Sequence, residues 1–67
     1  MHVLTRIGQN VVSLRKQKDI TQEYLALYSD ISVYYLRQIE HGTANPSALI
    51  LDRLAATLDV PLSAIFL

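Results

Sequence analysis

Apolar residues recur at helical spacing through almost the whole chain, and no segment alternates convincingly with period two. This restricts the fold to helices packed on helices, and the punctuation decides how many there are. Glycine occurs only at Gly8 and Gly42, and proline only at Pro46 and Pro61. A first helix is expected from about Val3 to Lys18, with Leu4, Ile7, Val11 and Leu14 on one face. It closes on Arg15, Lys16 and Lys18, cations suited to the negative end of a helix dipole. Asp19 and Ile20 lead to a second helix, capped by Thr21 and running to about Tyr28, with Leu25 and Ala26 inward. Ser29, Asp30 and Ile31 make a tight turn, where aspartate accepts the left-handed conformation better than most residues. Ser32 caps a third helix that runs to about His41 and stops at Gly42. After a loop of Thr43, Ala44 and Asn45, Pro46 and Ser47 open a fourth helix to about Asp59. Pro61 and Ser63 begin a short fifth helix ending at Leu67. The expected fold is all-α, a compact five-helix bundle in one domain over residues 1–67.

A core of this size rarely supplies more than about 3–5 kcal/mol. The chain has no cysteine, so disulfides and thiolate metal sites are excluded as staples. Good helix packing and oligomerisation remain. The lack of cysteine fits a reducing compartment. No run approaches the roughly 18–20 apolar residues of a membrane span. Thr5, Arg6, Gly8, Gln9 and Asn10 stand where a signal peptide needs an apolar stretch. The expected location is therefore the cytoplasm. His2 and His41 are the only histidines, too few and too separated for a metal site. No glycine-rich phosphate loop is present, and the spacing of Ser, His and Asp suits capping rather than a catalytic triad. No catalytic residue, metal or cofactor is expected. Six basic and six acidic residues give a net charge of zero, which counts against a nucleic-acid binder unless the charge is local. Hydrophobic residues reach 51%, enough to leave apolar surface for an interface.

The second and third helices are short and joined by a tight turn, the layout in which a second helix can enter a DNA major groove. At about 100° per residue from Val33, Leu36 and Ile39 point to the core. Val33, Tyr34, Arg37, Gln38 and His41 fall within an arc of about 140° on the outward side. That arc carries hydrogen-bonding side chains and one cation, where an ordinary wet face more usually carries Lys and Glu. An amphipathic helix with a merely solvated polar face accounts for helix 3 alone about as well. Tyr35 points toward the core edge and is left out of the face.

The segments "TQEYLA" (Thr21 to Ala26), "IEHG" (Ile39 to Gly42), "NPS" (Asn45 to Ser47) and "LDVPLSAIF" (Leu58 to Phe66) are weak singly. In this order and spacing the chain resembles the Xre/Cro-type helix-turn-helix family, which includes the lambdoid phage repressors. The resemblance covers nearly the whole sequence. It implies that Gln22 and Ser32 hold DNA phosphates, and that Asn45 and Ser47 approach the backbone. It implies that Val33, Tyr34 and Gln38 read base edges, with Arg37 on the same face. It makes Arg15 and Glu40 a structural ion pair. Three features depart from the family pattern. Asp19 and Asp30 stand where glycine is usual, Val12 where arginine is usual, and Val33 where a polar residue is frequent.

General physics supports these roles. Helix N-termini present free N–H groups and positive dipole ends, and Gln22, Ser32 and Ser47 all sit at such ends. Gln38 can bind an adenine edge through two hydrogen bonds, Arg37 can reach guanine, and Val33 can pack on a thymine methyl. Phosphate contacts position the protein and base contacts specify the site.

The leading expectation is a sequence-specific regulator, in the sense of a repressor, that binds a palindromic site on double-stranded DNA as a homodimer. The alternative is an interaction module of the same fold, antitoxin-like or antirepressor-like, acting on a regulatory protein partner. Zero net charge and the apolar residues of helix 3 feed the alternative. The set of Gln22, Ser32, Gln38 and "NPS" feeds the first. The segment "PLSAIFL" carries no charged side chain. If Ile65 faces the core, Leu62, Phe66 and Leu67 with Leu49 of helix 4 are the expected dimer contact.

Overall fold

The computed structural model describes residues 2–67, which form α1 (His2–Gln17), α2 (Gln22–Tyr28), α3 (Val33–Glu40), α4 (Ala48–Leu58) and a short 3-10 helix, η1 (Leu62–Phe66). Three of the helices start at hydroxyl caps. Thr21 Oγ1 accepts from the Tyr24 amide at 3.0 Å, Ser32 Oγ from Tyr35 at 3.0 Å, and Ser47 Oγ from Ile50 at 3.2 Å. Each bond satisfies one of the amide donors that a helix start leaves without a partner. The fifth element is a 3-10 turn rather than the expected α-helix. Its five residues follow Pro61, whose carbonyl accepts from the Ala64 amide at 2.9 Å, the i→i+3 bond that so short a segment can close.

The four α-helices end alike. An amide three residues past α1, α2 and α3, and two past α4, reaches back to the carbonyl five residues earlier: Ile20 to Arg15, Ile31 to Ala26, Thr43 to Gln38 and Val60 to Ala55, at 2.9–3.1 Å. The residue before that amide sits in the left-handed region: Asp19 at φ 57°, Asp30 at 59°, Gly42 at 77° and Asp59 at 57°. This is the Schellman arrangement. In the three aspartate versions the next residue is Ile20, Ile31 or Val60, and each packs against the core. The sequence pair Asp-Ile or Asp-Val therefore stops a helix three times. None of the three carries the usual glycine or asparagine.

An aspartate there accepts the backbone but sets a negative charge at the negative end of a helix. Asp59→Asn keeps the backbone tolerance and removes the charge. It is expected to stabilise the protein by about 0.3–1 kcal/mol at low salt, the worth of one charge–dipole term. Urea unfolding at low and high ionic strength checks this. The gain must shrink as salt rises, because screening weakens the dipole interaction it relies on.

α1 packs against α3, α4 and η1, and α2 packs against α3 and α4. Between them lie Val11, Leu25, Leu36, Ile39, Leu54, Leu58 and Ile65, all essentially without solvent exposure. Polar bonds fix the outer elements to this core. Asn10 Nδ2 donates to the Ile65 carbonyl at 2.8 Å and holds η1 on α1. Ser29 Oγ donates to Thr57 Oγ1, and Thr57 Oγ1 donates to the Tyr28 carbonyl, both at 3.1 Å, which joins the end of α2 to α4. No described helix is long and apolar enough to cross a membrane.

Candidate nucleic-acid interface

The site is built outward from a buried carboxylate. Glu40 closes α3, and its side chain is only 3% exposed. Its Oε2 accepts from Arg15 Nε at 2.8 Å, and its Oε1 accepts from Arg15 Nη2 at 3.2 Å. The pairing is the bidentate one that guanidinium and carboxylate geometry favours. Arg15 Nη1 also donates to the Ile20 carbonyl at 3.1 Å, so one side chain ties the end of α1, the connection to α2 and the end of α3.

Gln22 takes the third place on that carboxylate. Its Nε2 donates to Glu40 Oε1 at 2.8 Å, and its Oε1 accepts from Arg37 Nε at 3.2 Å. The carboxylate sets the orientation of the amide, because only the NH₂ end can face it. One N–H of Gln22 is thereby used by the scaffold and the other is left for an outside acceptor. The residue expected at a phosphate also links the buried pair to the recognition face, a role that spacing does not reveal. Arg37 Nη2 lies 3.8 Å from Glu23 Oε2, and these two side chains are 56% and 69% exposed.

On α3, Leu36 and Ile39 are buried, as their angles require. Tyr34 projects into solvent with 71% exposure. Tyr34, Arg37 and Gln38 line an open hollow of about 370 Å³ together with His41 and Thr43. His41 belongs to the outward arc by its angle, although its position at the helix stop hides that role. Thr43 comes from the loop, beyond any helical periodicity, and its hydroxyl donates to the Gln38 carbonyl at 3.2 Å. Val33 is half-buried against the core, so it offers a groove less surface than its angle alone expects. Tyr35 also packs at the core edge.

The hydroxyls of Ser32 and Ser47 each accept an amide bond as caps, which leaves the O–H of each free to donate outward. Asn45 is exposed in the loop before α4. Of the residues expected at a dimer contact, Leu49, Phe66 and Leu67 are exposed and Leu62 is half-buried beside the fully buried Ile65. A second apolar surface lies on α2, where Tyr24, Leu27 and Tyr28 are exposed and the two tyrosine rings stand 4.5 Å apart. Their i, i+3, i+4 spacing puts the three on one face of α2, away from the buried Leu25 and Ala26. Among the described residues no group of three or more His, Cys, Asp or Glu could hold a metal ion.

Two short helices joined by the Ser29–Ile31 turn, each starting at a hydroxyl cap and the second presenting a polar arc, define a helix-turn-helix protein. A helix-turn-helix family model matches residues 12–65, and the chain belongs to that family, of the Xre/Cro type and a DNA-binding class of transcription regulators. The immunity repressor protein of Bacillus phage phi105 is 37% identical over 59 residues, covering 88% of this chain and 41% of the repressor. The chain thus spans less than half of that relative's length. The control protein C.MunI of a Mycoplasma species is 37% identical over 62 residues, covering 91% of this chain and 84% of its own. Among solved structures, the restriction-modification controller protein C.AhdI from Aeromonas hydrophila superposes with a TM-score of 0.95 at 32% identity. The match covers 98% of this chain and 100% of that one.

Proposed function

We propose that the chain is a cytoplasmic, sequence-specific DNA-binding repressor that docks α3 in the major groove and binds a palindromic operator as a homodimer. The observation that carries this reading is the outward face of α3. Tyr34, Arg37 and Gln38 bound an open hollow, and α2, α3 and α4 each begin at a hydroxyl cap. Gln22, Ser32, Asn45 and Ser47 hold phosphates and set the register, while Tyr34, Arg37, Gln38 and Val33 face the bases. Arg15 and Glu40 keep α3 at the angle this requires. The names of the relatives, an immunity repressor, a control protein and a restriction-modification controller protein, support a regulatory role.

Selection of a binding site from random duplexes, followed by titration, tests the reading. Gln38→Ala and Tyr34→Ala are expected to weaken binding to the selected site by about 1–3 kcal/mol each. On scrambled DNA they are expected to change little, and stability should hold. Equal weakening on both sequences removes the base-reading role.

The dimer is proposed through Leu49, Leu62, Phe66 and Leu67, which would set two recognition helices about 34 Å apart, one turn of DNA. Sedimentation at micromolar concentrations is expected to show a dimer that the combined Phe66→Asp and Leu67→Asp substitutions dissociate without unfolding. A monomer at every concentration, with and without DNA, overturns it. The exposed Tyr24, Leu27 and Tyr28 of α2 favour a second reading, in which a regulatory protein partner is also bound. That reading predicts that Leu27→Ser leaves DNA affinity intact while abolishing control in cells.

A further inference from the structure

The charged groups at the end of α1, at the start of α2 and along α3 form one continuous chain. Arg15 pairs with Glu40, Glu40 accepts from Gln22, Gln22 accepts from Arg37, and Arg37 lies beside Glu23. Two cations and two carboxylates alternate along it, so its formal charge sums to zero. The inner pair is buried and belongs to the scaffold, but the outer pair is not. Arg37 and Glu23 are both more than half exposed, and a pair so wet at 3.8 Å contributes little to folding. Arg37 is the single cation of α3, and the guanidinium that should attract a phosphate backbone is held by an amide and a carboxylate of α2.

We propose that Glu23 is a positioning residue that sets specificity by holding Arg37 against α2 and cancelling the sequence-blind pull of this face on DNA. The proposal rests on the DNA-binding reading given above. A phosphate that takes Arg37 must replace Glu23, so one anion is exchanged for another and little is gained. At the right base edge Arg37 instead finds two acceptors in a fixed geometry, and the exchange is favourable. Glu23 therefore penalises every wrong sequence more than the right one. This fits a protein of zero net charge, whose overall charge adds no sequence-blind attraction to DNA.

The test is a titration of the full chain on its selected duplex and on a scrambled duplex of equal length, over a range of salt. Glu23→Gln is expected to tighten scrambled-DNA binding by a factor of roughly two to five, the worth of one exposed ion pair. It is expected to steepen the log-affinity against log-salt slope by about 0.9 per protomer, one more phosphate neutralised. The selected site should gain less, so the ratio between the two affinities falls. The melting temperature should not move. In an Arg37→Ala background Glu23→Gln should lose most of its effect, because the two act as a unit. An unchanged slope in Glu23→Gln overturns the proposal while the DNA-binding reading stands. An equal effect with and without Arg37 also overturns it, since Glu23 would then act by its own repulsion of phosphate. Failure of the wild-type chain to bind any duplex overturns the DNA-binding reading and this inference with it.

Discussion

Arg15→Ala is expected to leave much of the protein unfolded at room temperature. The substitution removes the bidentate partner of a carboxylate that is 3% exposed, and it strips the Ile20 carbonyl of its donor as well. Breaking a buried pair by deleting one member typically costs about 3–5 kcal/mol, because the surviving charge stays in a medium that solvates it poorly. A core of this size supplies about the same amount in total. Urea unfolding followed by circular dichroism measures the loss. The stranded charge, rather than lost packing, is the cause. Replacing both partners with apolar residues of similar size, Arg15→Met with Glu40→Leu, should therefore recover much of the stability. DNA binding of Arg15→Ala should fall only as far as the folded fraction does. A fully folded Arg15→Ala that no longer binds DNA would instead make Arg15 a phosphate contact.

Gly8→Ala is expected to be nearly as damaging, against the ordinary preference of helices. Alanine is the better helix former by roughly 1 kcal/mol, so propensity alone predicts a gain. A β-carbon at Gly8 would lie 2.5 Å from the carbonyl oxygens of both Ile39 and Glu40, and 2.9 Å from the Glu40 carbonyl carbon. These are backbone atoms, and no side-chain rotation clears them. α1 must lift off the end of α3, and overpacking of this kind costs about 1–3 kcal/mol or more. The shift also moves Glu40 against Arg15, so the two effects are coupled. A comparison with Val12→Ala, elsewhere on α1, isolates the close approach. A higher melting temperature in Gly8→Ala would show that α1 and α3 are not so near.

Most of the helix boundaries were legible in the sequence because they depend on residues close along the chain. Thr21, Ser32 and Ser47 cap because a hydroxyl can reach an amide three residues on, whatever the rest of the fold does. The outward placement of Tyr34 and the burial of Leu36 and Ile39 follow from helical spacing in the same way. Val33 shows where spacing runs out. Its angle puts it on the recognition arc, yet the first turn of α3 is close enough to neighbouring elements to half-bury it. The 3-10 form of η1 and the left-handed stop at Asp59 also differ from, or go beyond, what local signals indicate.

The sequence by itself determined an all-α chain, its cap residues, the inward stripes of its helices and its kinship with the helix-turn-helix family. Each of these is set by neighbours within a turn or two, or by motifs at fixed spacing. Only the tertiary structure decided that Gly8 must lack a side chain, since the obstacle lies more than thirty residues away at Ile39 and Glu40. Only it decided that one amide, Gln22, joins a buried carboxylate to the exposed Arg37, and that Glu23 stands beside that cation. These contacts depend on how α1, α2 and α3 cross. Crossing is settled by the summed packing of the core, which no local stretch of sequence specifies.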